Sequence, residues 1–159
     1  MTTKQKLYLA GPLFSDAEKE FNRSLKSRLE QFIDVYLPQE DGGLVVEMVR
    51  AGISEREAWD FVFKKDIEEI NDCNVFLIIL DGRAVDEGAA VKLGIAYALK
   101  KECIGLQTDP RRLLPNGNNP MISGALRTVF HSVQDLVQDF IARYATAALP
   151  RREETERCG

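Results

Sequence analysis

The stretch LDGRAVDEGAAVKLGIAYALKK, Leu80 to Lys101, reads as a strand end, a charged loop and a helix rich in small residues. It completes the apolar run VFLIIL, Val75 to Leu80. A continuous aliphatic run of that length suits a strand covered on both faces, as in a parallel sheet. The run stops at Asp81-Gly82, and order resumes at Gly88. Ala89, Ala90, Leu93, Ala96 and Tyr97 then recur at spacings that lay a helix against such a sheet. In an open α/β sheet, ligands bind beyond the carboxyl ends of the strands. Asp81, Asp86 and Glu87 therefore stand at the expected mouth of a site.

Working outward, the same alternation repeats. KLYLA (Lys6–Ala10) reads as a first strand ending at the turn Gly11-Pro12. Ser15 with Glu18 has the spacing of a capping box, and Phe21, Leu25, Leu29 and Phe32 form the apolar stripe of a helix. Val35–Leu37 is a short second strand, and residues 39–54 are a loop holding a short helical piece. Trp59, Phe63, Ile67 and Ile70 mark a second amphipathic helix capped by Ser54. After the Val75–Leu80 strand and its Gly88–Lys100 helix come a fourth strand, Cys103–Leu106, and a long loop, Thr108–Pro120. A helical turn at Met121–Leu126, a fifth strand at Thr128–Phe130 and a helix over Val133–Tyr144 complete the pattern. Strands alternating with helices predict an α/β, doubly wound parallel sheet of about five strands. One domain spans residues 1–145, and residues 146–159 form a polar C-terminal tail.

Composition narrows the function classes. The chain of 159 residues is 45% hydrophobic and 29% charged, as in a globular domain. A net charge of −4 supplies no basic footprint, so no nucleic-acid partner is expected. No stretch approaches the ~20 apolar residues that span a bilayer, and the start MTTKQKLYLAGP lacks the features of a secretion signal. A cytoplasmic protein without a membrane partner is expected. The three cysteines have no metal-ligand spacing, and no metal is expected. Cys73 and Cys103 flank apolar runs and read as reduced core residues, whereas Cys158 sits in the tail.

Each candidate residue has a plain reading beside the functional one. Tyr8 is either a core aromatic or a hydroxyl near the sheet mouth. Asp66, one residue before the apolar Ile67, is a solvated carboxylate unless its helix faces the Asp86 cleft. Helix capping explains one of Asp86 and Glu87. Three loop carboxylates exceed what a cap requires, and clustered acids can divide acid, base and nucleophile roles. Lys92 lies where a cation opposes the helix dipole, so it is a solvated lysine or a partner of Asp86 or Glu87. Asn116, Asn118, Asn119 and Met121 form a turn-rich loop or a set able to hold a planar polar heterocycle. The lone His131 reads as structural.

Taken together, KLYLAGPLF, FVFKKDIEEI, IILDGRAVDEGAAVKLGIAYALKK and NNPM resemble the nucleoside 2-deoxyribosyltransferase family, in order along residues 5–142. The pattern D-x-G-x-x-x-E-x-G reads DEGAAVKLG here, matching at every fixed position but one. The resemblance implies a flavodoxin-like sheet, a homo-oligomer, and no metal or organic cofactor. It implies exchange of the base of a 2′-deoxynucleoside through a covalent deoxyribosyl–enzyme intermediate on the motif glutamate. The implied partners are a nucleoside, nucleotide or free base. By the same resemblance Tyr8 orients the nucleophile, and Asp66 and Asp86 belong to the pocket, with Asp86 protonating or hydrogen-bonding the base. Gly11, Pro12, Asp81, Gly82, Glu87 and Gly88 make the remaining substrate contacts. Asn119 and Met121 complete a neighbouring subunit's site.

The departure falls on the nucleophile, whose position is Lys92. Asp86 and Gly88 on one side and Gly94 on the other leave no gap to shift a glutamate into place. Three readings follow: an N-deoxyribosyltransferase or N-glycosidase with ordinary or residual activity, a catalytically silent nucleoside- or nucleotide-binding relative, and a glycosidase altered to use the Lys92 amine. In the second, Lys92 favours an anionic ligand such as a phosphate.

Overall fold

A computed structural model describes residues 4–111 and 117–144. The apolar run Val75 to Leu80 supplies β3, Val75–Ile79, all five residues of which are buried. Fully burying an aliphatic side chain contributes roughly 1.5–3 kcal/mol, so this strand can stand only at the centre of the fold. It pairs in parallel with β1 (Lys6–Ala10) on one side and β4 (Glu102–Leu106) on the other. β2 (Asp34–Tyr36) adds beyond β1 and β5 (Thr128–Phe130) beyond β4, giving the order β2-β1-β3-β4-β5. This is a parallel, doubly wound, flavodoxin-like sheet, and its direction of winding reverses between β1 and β3.

Alternation along each strand sorts the core into two layers. Leu7, Leu9, Val75, Leu77 and Ile79 face one side with Leu25 and Leu29 of α1 (Asp16–Leu29) and Leu136 and Phe140 of the C-terminal helix at Val133–Tyr144. Tyr8, Ala10, Phe76 and Ile78 face the other, where Ile70 and then Ala89, Leu93 and Ala96 cover them. Those covering residues belong to α4 (Glu55–Asp72) and α5 (Glu87–Ala98). The residues 39–54 loop holds two short helices, α2 (Pro38–Asp41) and α3 (Val45–Arg50). The short helix α6 (Pro120–Ala125) and the longer α7 (Val133–Tyr144) complete the order.

The local signals act as their chemistry requires. Ser15 accepts from the Glu18 backbone while the Glu18 carboxylate accepts from the Ser15 backbone, and Ser54 and Glu57 repeat the device on α4. Gly11 is needed where β1 turns away, because an added Cβ would lie 2.9 Å from Ile79 Cβ. Gly82 follows β3 with φ of +105°, a left-handed conformation that favours glycine.

Two expectations about helix faces are corrected. On α4 the buried positions are Ala58, Asp66, Glu69 and Ile70, whereas Trp59 and Phe63 lie exposed. The face pressed on the sheet carries carboxylates tied to lysines and a tyrosine beside Ile70, so the C-terminal end of the expected stripe is buried and its N-terminal aromatics are not. Tyr97 of α5 is likewise exposed, and the small residues Ala89 and Ala96 make the close packing. Cys73 and Cys103 are buried free thiols, both pushed up to about 11 by burial. Asn116, the tail 146–159 and Cys158 lie outside the described residues.

Candidate functional site

Tyr8 lies in the middle of β1 and turns toward α4 and α5. Its ring is wholly buried between Tyr36 (centroids 5.2 Å apart) and Phe76 (5.4 Å, stacked). Its hydroxyl donates to Asp66 Oδ1 at 2.5 Å. Burial, and then the charge of Asp66, hold the phenol well above its usual pKa, so it remains a donor. The other Asp66 oxygen, Oδ2, takes Lys92 Nζ at 2.8 Å, and that ammonium stands 5.6 Å from the Tyr8 ring centroid. One strand and two helices thus converge on a single carboxylate. Asp66 is buried rather than solvated, and it is the partner of Lys92 in place of Asp86 or Glu87.

Asp66 and Lys92 form part of the wall of a cavity of about 480 Å³. Leu13 and Phe14 from the loop after β1, Pro38 after β2, Leu44, Val45 and Val46 from the start of α3, and Val62 of α4 supply its apolar lining. Lys19 of α1 and Glu47 and Arg50 of α3 supply the remaining charges. The cavity therefore sits over the carboxyl ends of β1 and β2, beside the reversal in strand order where ligands settle in such sheets.

The residues of the β3–α5 loop are placed differently. None of Asp81, Asp86 and Glu87 lines the Lys92 cavity. Asp81 accepts from Thr108 N (2.6 Å), Thr108 Oγ1 (2.6 Å) and Asp109 N (2.9 Å), so it ties the loop after β3 to that after β4. Gly82 N donates across the same junction to Asp109 at 3.3 Å. Asp86 caps α5, its Oδ2 accepting from Ala89 N at 2.8 Å, and an added Cβ on Gly88 would lie 3.3 Å from that oxygen. Glu87 is exposed. Gly11 and Pro12 lead into the Leu13–Phe14 wall, and the Pro12 carbonyl accepts from Asn22 at 2.9 Å.

Asn119 and Met121 lie on another surface. They line a groove of about 580 Å³ between α5 and α6, with Val91 and Gly94 among its walls. Asn119 caps α6 by accepting from Met121 N at 2.9 Å, while the Met121 side chain is 81% exposed. Behind them Gln107 and Asn118 exchange amide hydrogen bonds of 2.8 and 3.2 Å. Sequence reasoning missed Phe14, Lys19, Glu47 and Arg50. The sequence signal for this wall is an aromatic, Phe14, two residues after the Gly11-Pro12 turn.

These features define a class first: an open, doubly wound α/β protein with a ligand-sized cavity over its strand ends. Within that class, the chain belongs to the nucleoside 2-deoxyribosyltransferase family, whose profile, described as Nucleoside 2-deoxyribosyltransferase, matches residues 7–140. A conserved protein from Enterococcus faecalis V583 is 26% identical and superposes with a TM-score of 0.72, covering 89% of this chain and 99% of its own. The 2-deoxyribosyltransferase of Bacillus psychrosaccharolyticus is 25% identical, with a TM-score of 0.65 over 83% of this chain and 90% of its own. The corresponding enzyme from Leishmania mexicana shares the fold at 19% identity, with a TM-score of 0.62 over 87% and 97%. A comparison with curated proteins finds no match. No helix among the described residues is long and apolar enough to cross a membrane.

Proposed function

We propose that the Lys92 cavity binds a nucleoside or nucleotide and that base exchange through a covalent intermediate is lost. The observation that carries this is the 2.8 Å ion pair between Lys92 Nζ and Asp66 Oδ2, at the position where the family motif has its glutamate. A carboxylate there does two things, stabilising an oxocarbenium-like transition state and then capturing C1′. An ammonium does neither. At ~5 Å and an effective dielectric of ~20, one unit charge acts on another with about 3 kcal/mol. Losing the attractive carboxylate beside C1′, its place taken by an ammonium that Asp66 balances, therefore costs about two orders of magnitude in rate, in addition to the missing nucleophile.

The rest of the site supports retained binding. The hydrogen bond from Tyr8 to Asp66, and an Asp66-lined cavity of ordinary size for a small-molecule site, support this reading. The altered-glycosidase reading is disfavoured, since an ammonium committed to Asp66 has no lone pair with which to attack C1′. Exposed Trp59 and Phe63, one turn apart on α4, support a homo-oligomer, because exposed apolar side chains sharing a face can serve as an interaction surface. Met121 and Asn119, which line no part of this chain's own Lys92 cavity, then reach a neighbouring subunit's site.

The test pairs two measurements on the unaltered protein. Titration with 2′-deoxynucleosides is expected to perturb amide resonances around residues 13–14, 44–46 and 92. Incubation of a deoxynucleoside with a second free base is expected to yield no exchanged product. Rapid exchange, or titration without any perturbation near Lys92, would show the reading wrong.

A further inference from the structure

The wall that α3 gives to the Lys92 cavity is attached differently from the others. α3 has no buried residue, although Val45, Val46, Met48 and Val49 are apolar, and none of these belongs to either layer of the core. Among the described residues, no hydrogen bond or ion pair joins residues 43–53 to another part of the chain. The backbone bonds of the segment, such as Met48 N to Leu44 O and Ile53 N to Met48 O, close on themselves. Glycines in the left-handed region stand at both ends, Gly43 with φ of +78° and Gly52 with φ of +93°. Just outside each lies a fixed point. Gly42 is buried, and a Cβ there would lie 2.7 Å from the Tyr36 hydroxyl and 2.8 Å from the Pro38 carbonyl oxygen. Beyond Gly52, Ser54 is locked into its capping box with Glu57. From other elements, the same cavity is lined by Phe14, 76% exposed, and by Lys19. Among the described residues, Lys19 has no acid and Glu47 no cation within ion-pair distance.

We infer that residues 43–52 are a lid, hinged at its two glycines, that closes over the occupied cavity by laying Val46 on Phe14 and bringing Glu47 to Lys19. A short helix with no buried side chain and no polar tie to its surroundings opens locally at low cost. Rotation confined to Gly43 and Gly52 leaves α2 and α4 where they are. Closing takes Val46, now 60% exposed, and the Phe14 ring out of water. It also joins an acid and a cation that the open form leaves single. Opening of the lid then sets how fast a ligand leaves. The inference rests on the cavity being a nucleoside site, and it names the element that gates that site.

The experiment follows amide hydrogen exchange in the full chain, free and with each of the four common 2′-deoxynucleosides. In the free protein the α3 amides are expected to exchange about a hundredfold or more faster than those in the middle of α4. A nucleoside that shifts the resonances of residues 13–14 and 92 is expected to slow α3 exchange about tenfold or more. The contact that holds the lid shut is read from nucleoside dissociation rates in a double-mutant cycle. Lys19→Gln and Glu47→Gln are each expected to raise the rate about two- to fivefold, and the double variant to raise it no further than either alone. An α3 as protected as α4 in the free protein would overturn the lid whatever binds. Shifts at residues 13–14 and 92 without slower α3 exchange would overturn it while leaving the nucleoside site standing. Effects of the two substitutions that multiply would overturn closure through Glu47 and Lys19. Binding of no probe would overturn the site reading and the lid together.

Discussion

Asp66 accepts a hydrogen bond from Tyr8 at one oxygen and is ion-paired with Lys92 at the other, and each contact can be removed singly. Tyr8→Phe deletes the 2.5 Å bond to Oδ1 and leaves a buried carboxylate oxygen without its donor. Hydrogen bonds to charged groups contribute about 1.5–3 kcal/mol, so urea unfolding of Tyr8→Phe is expected to show a loss in that range. An unchanged midpoint would mean the bond is not made. Glu69, on the same helix, offers a pH reading. Burial alone would raise its carboxyl, but bonds from Lys6 and from Lys65 (2.6 Å) prevail and hold it below the usual 4.5. An acid depressed in the folded state contributes stability that is complete above its unfolded pKa and lost as pH falls through the folded one. The stability gap between the unaltered protein and Glu69→Gln should therefore be full at neutral pH and close as pH drops below 4.5. A gap that widened on acidification would contradict this. At this scale the sequence was only partly legible. Lys92 was visible as an anomaly of its motif, yet its partner lies 26 residues away on another helix, and nearness in the chain pointed to Asp86 instead.

Elements were read more securely than their faces. β3 and α5 were legible because an unbroken aliphatic run and a train of alanines and glycines have few alternative folds. The Ser15–Glu18 capping box was legible because donor and acceptor sit three residues apart, and Ser54 was legible as a cap, whereas its partner Glu57 emerges only in the structure. The face of α4 was not, because its core-facing side spends two positions on Asp66 and Glu69, paired with groups from β1 and α5 or from α4 itself. Hydrophobic periodicity then followed Trp59 and Phe63, which remain exposed. The turn after β1 supplies a test at this scale. Gly11→Ala would place a methyl 2.9 Å from Ile79 Cβ, an atom fixed to the β3 backbone that cannot swing aside. Overpacking of this kind costs typically ~1–3 kcal/mol, and the loss should appear as a lower denaturant midpoint with an unchanged slope. A neutral Gly11→Ala would show that β1 and β3 are not so closely apposed.

At the scale of the whole molecule, the sheet order brings parts distant in sequence to one cavity, and this is why the cavity escaped a linear reading. Phe14, Lys19, Glu47 and Arg50 meet Asp66 and Lys92 only because β1 stands between β2 and β3. The β3–α5 loop that looked like the mouth is instead tied down by Asp81, Thr108 and Asp109. Family membership is secure across residues 7–140, and the chemistry turns on a single side chain inside that span. Replacing Lys92 by Glu restores the one unmatched position of D-x-G-x-x-x-E-x-G while Tyr8, Asp66 and Asp86 stay unchanged in the sequence. The most direct measurement is base exchange between a 2′-deoxynucleoside and a second free base, followed chromatographically for the unaltered protein and Lys92→Glu side by side. The expected result is no exchange by the former and measurable exchange by the latter. Exchange by the unaltered protein that Lys92→Glu diminishes would be the contrary result, making the lysine part of a working site rather than the cause of its silence.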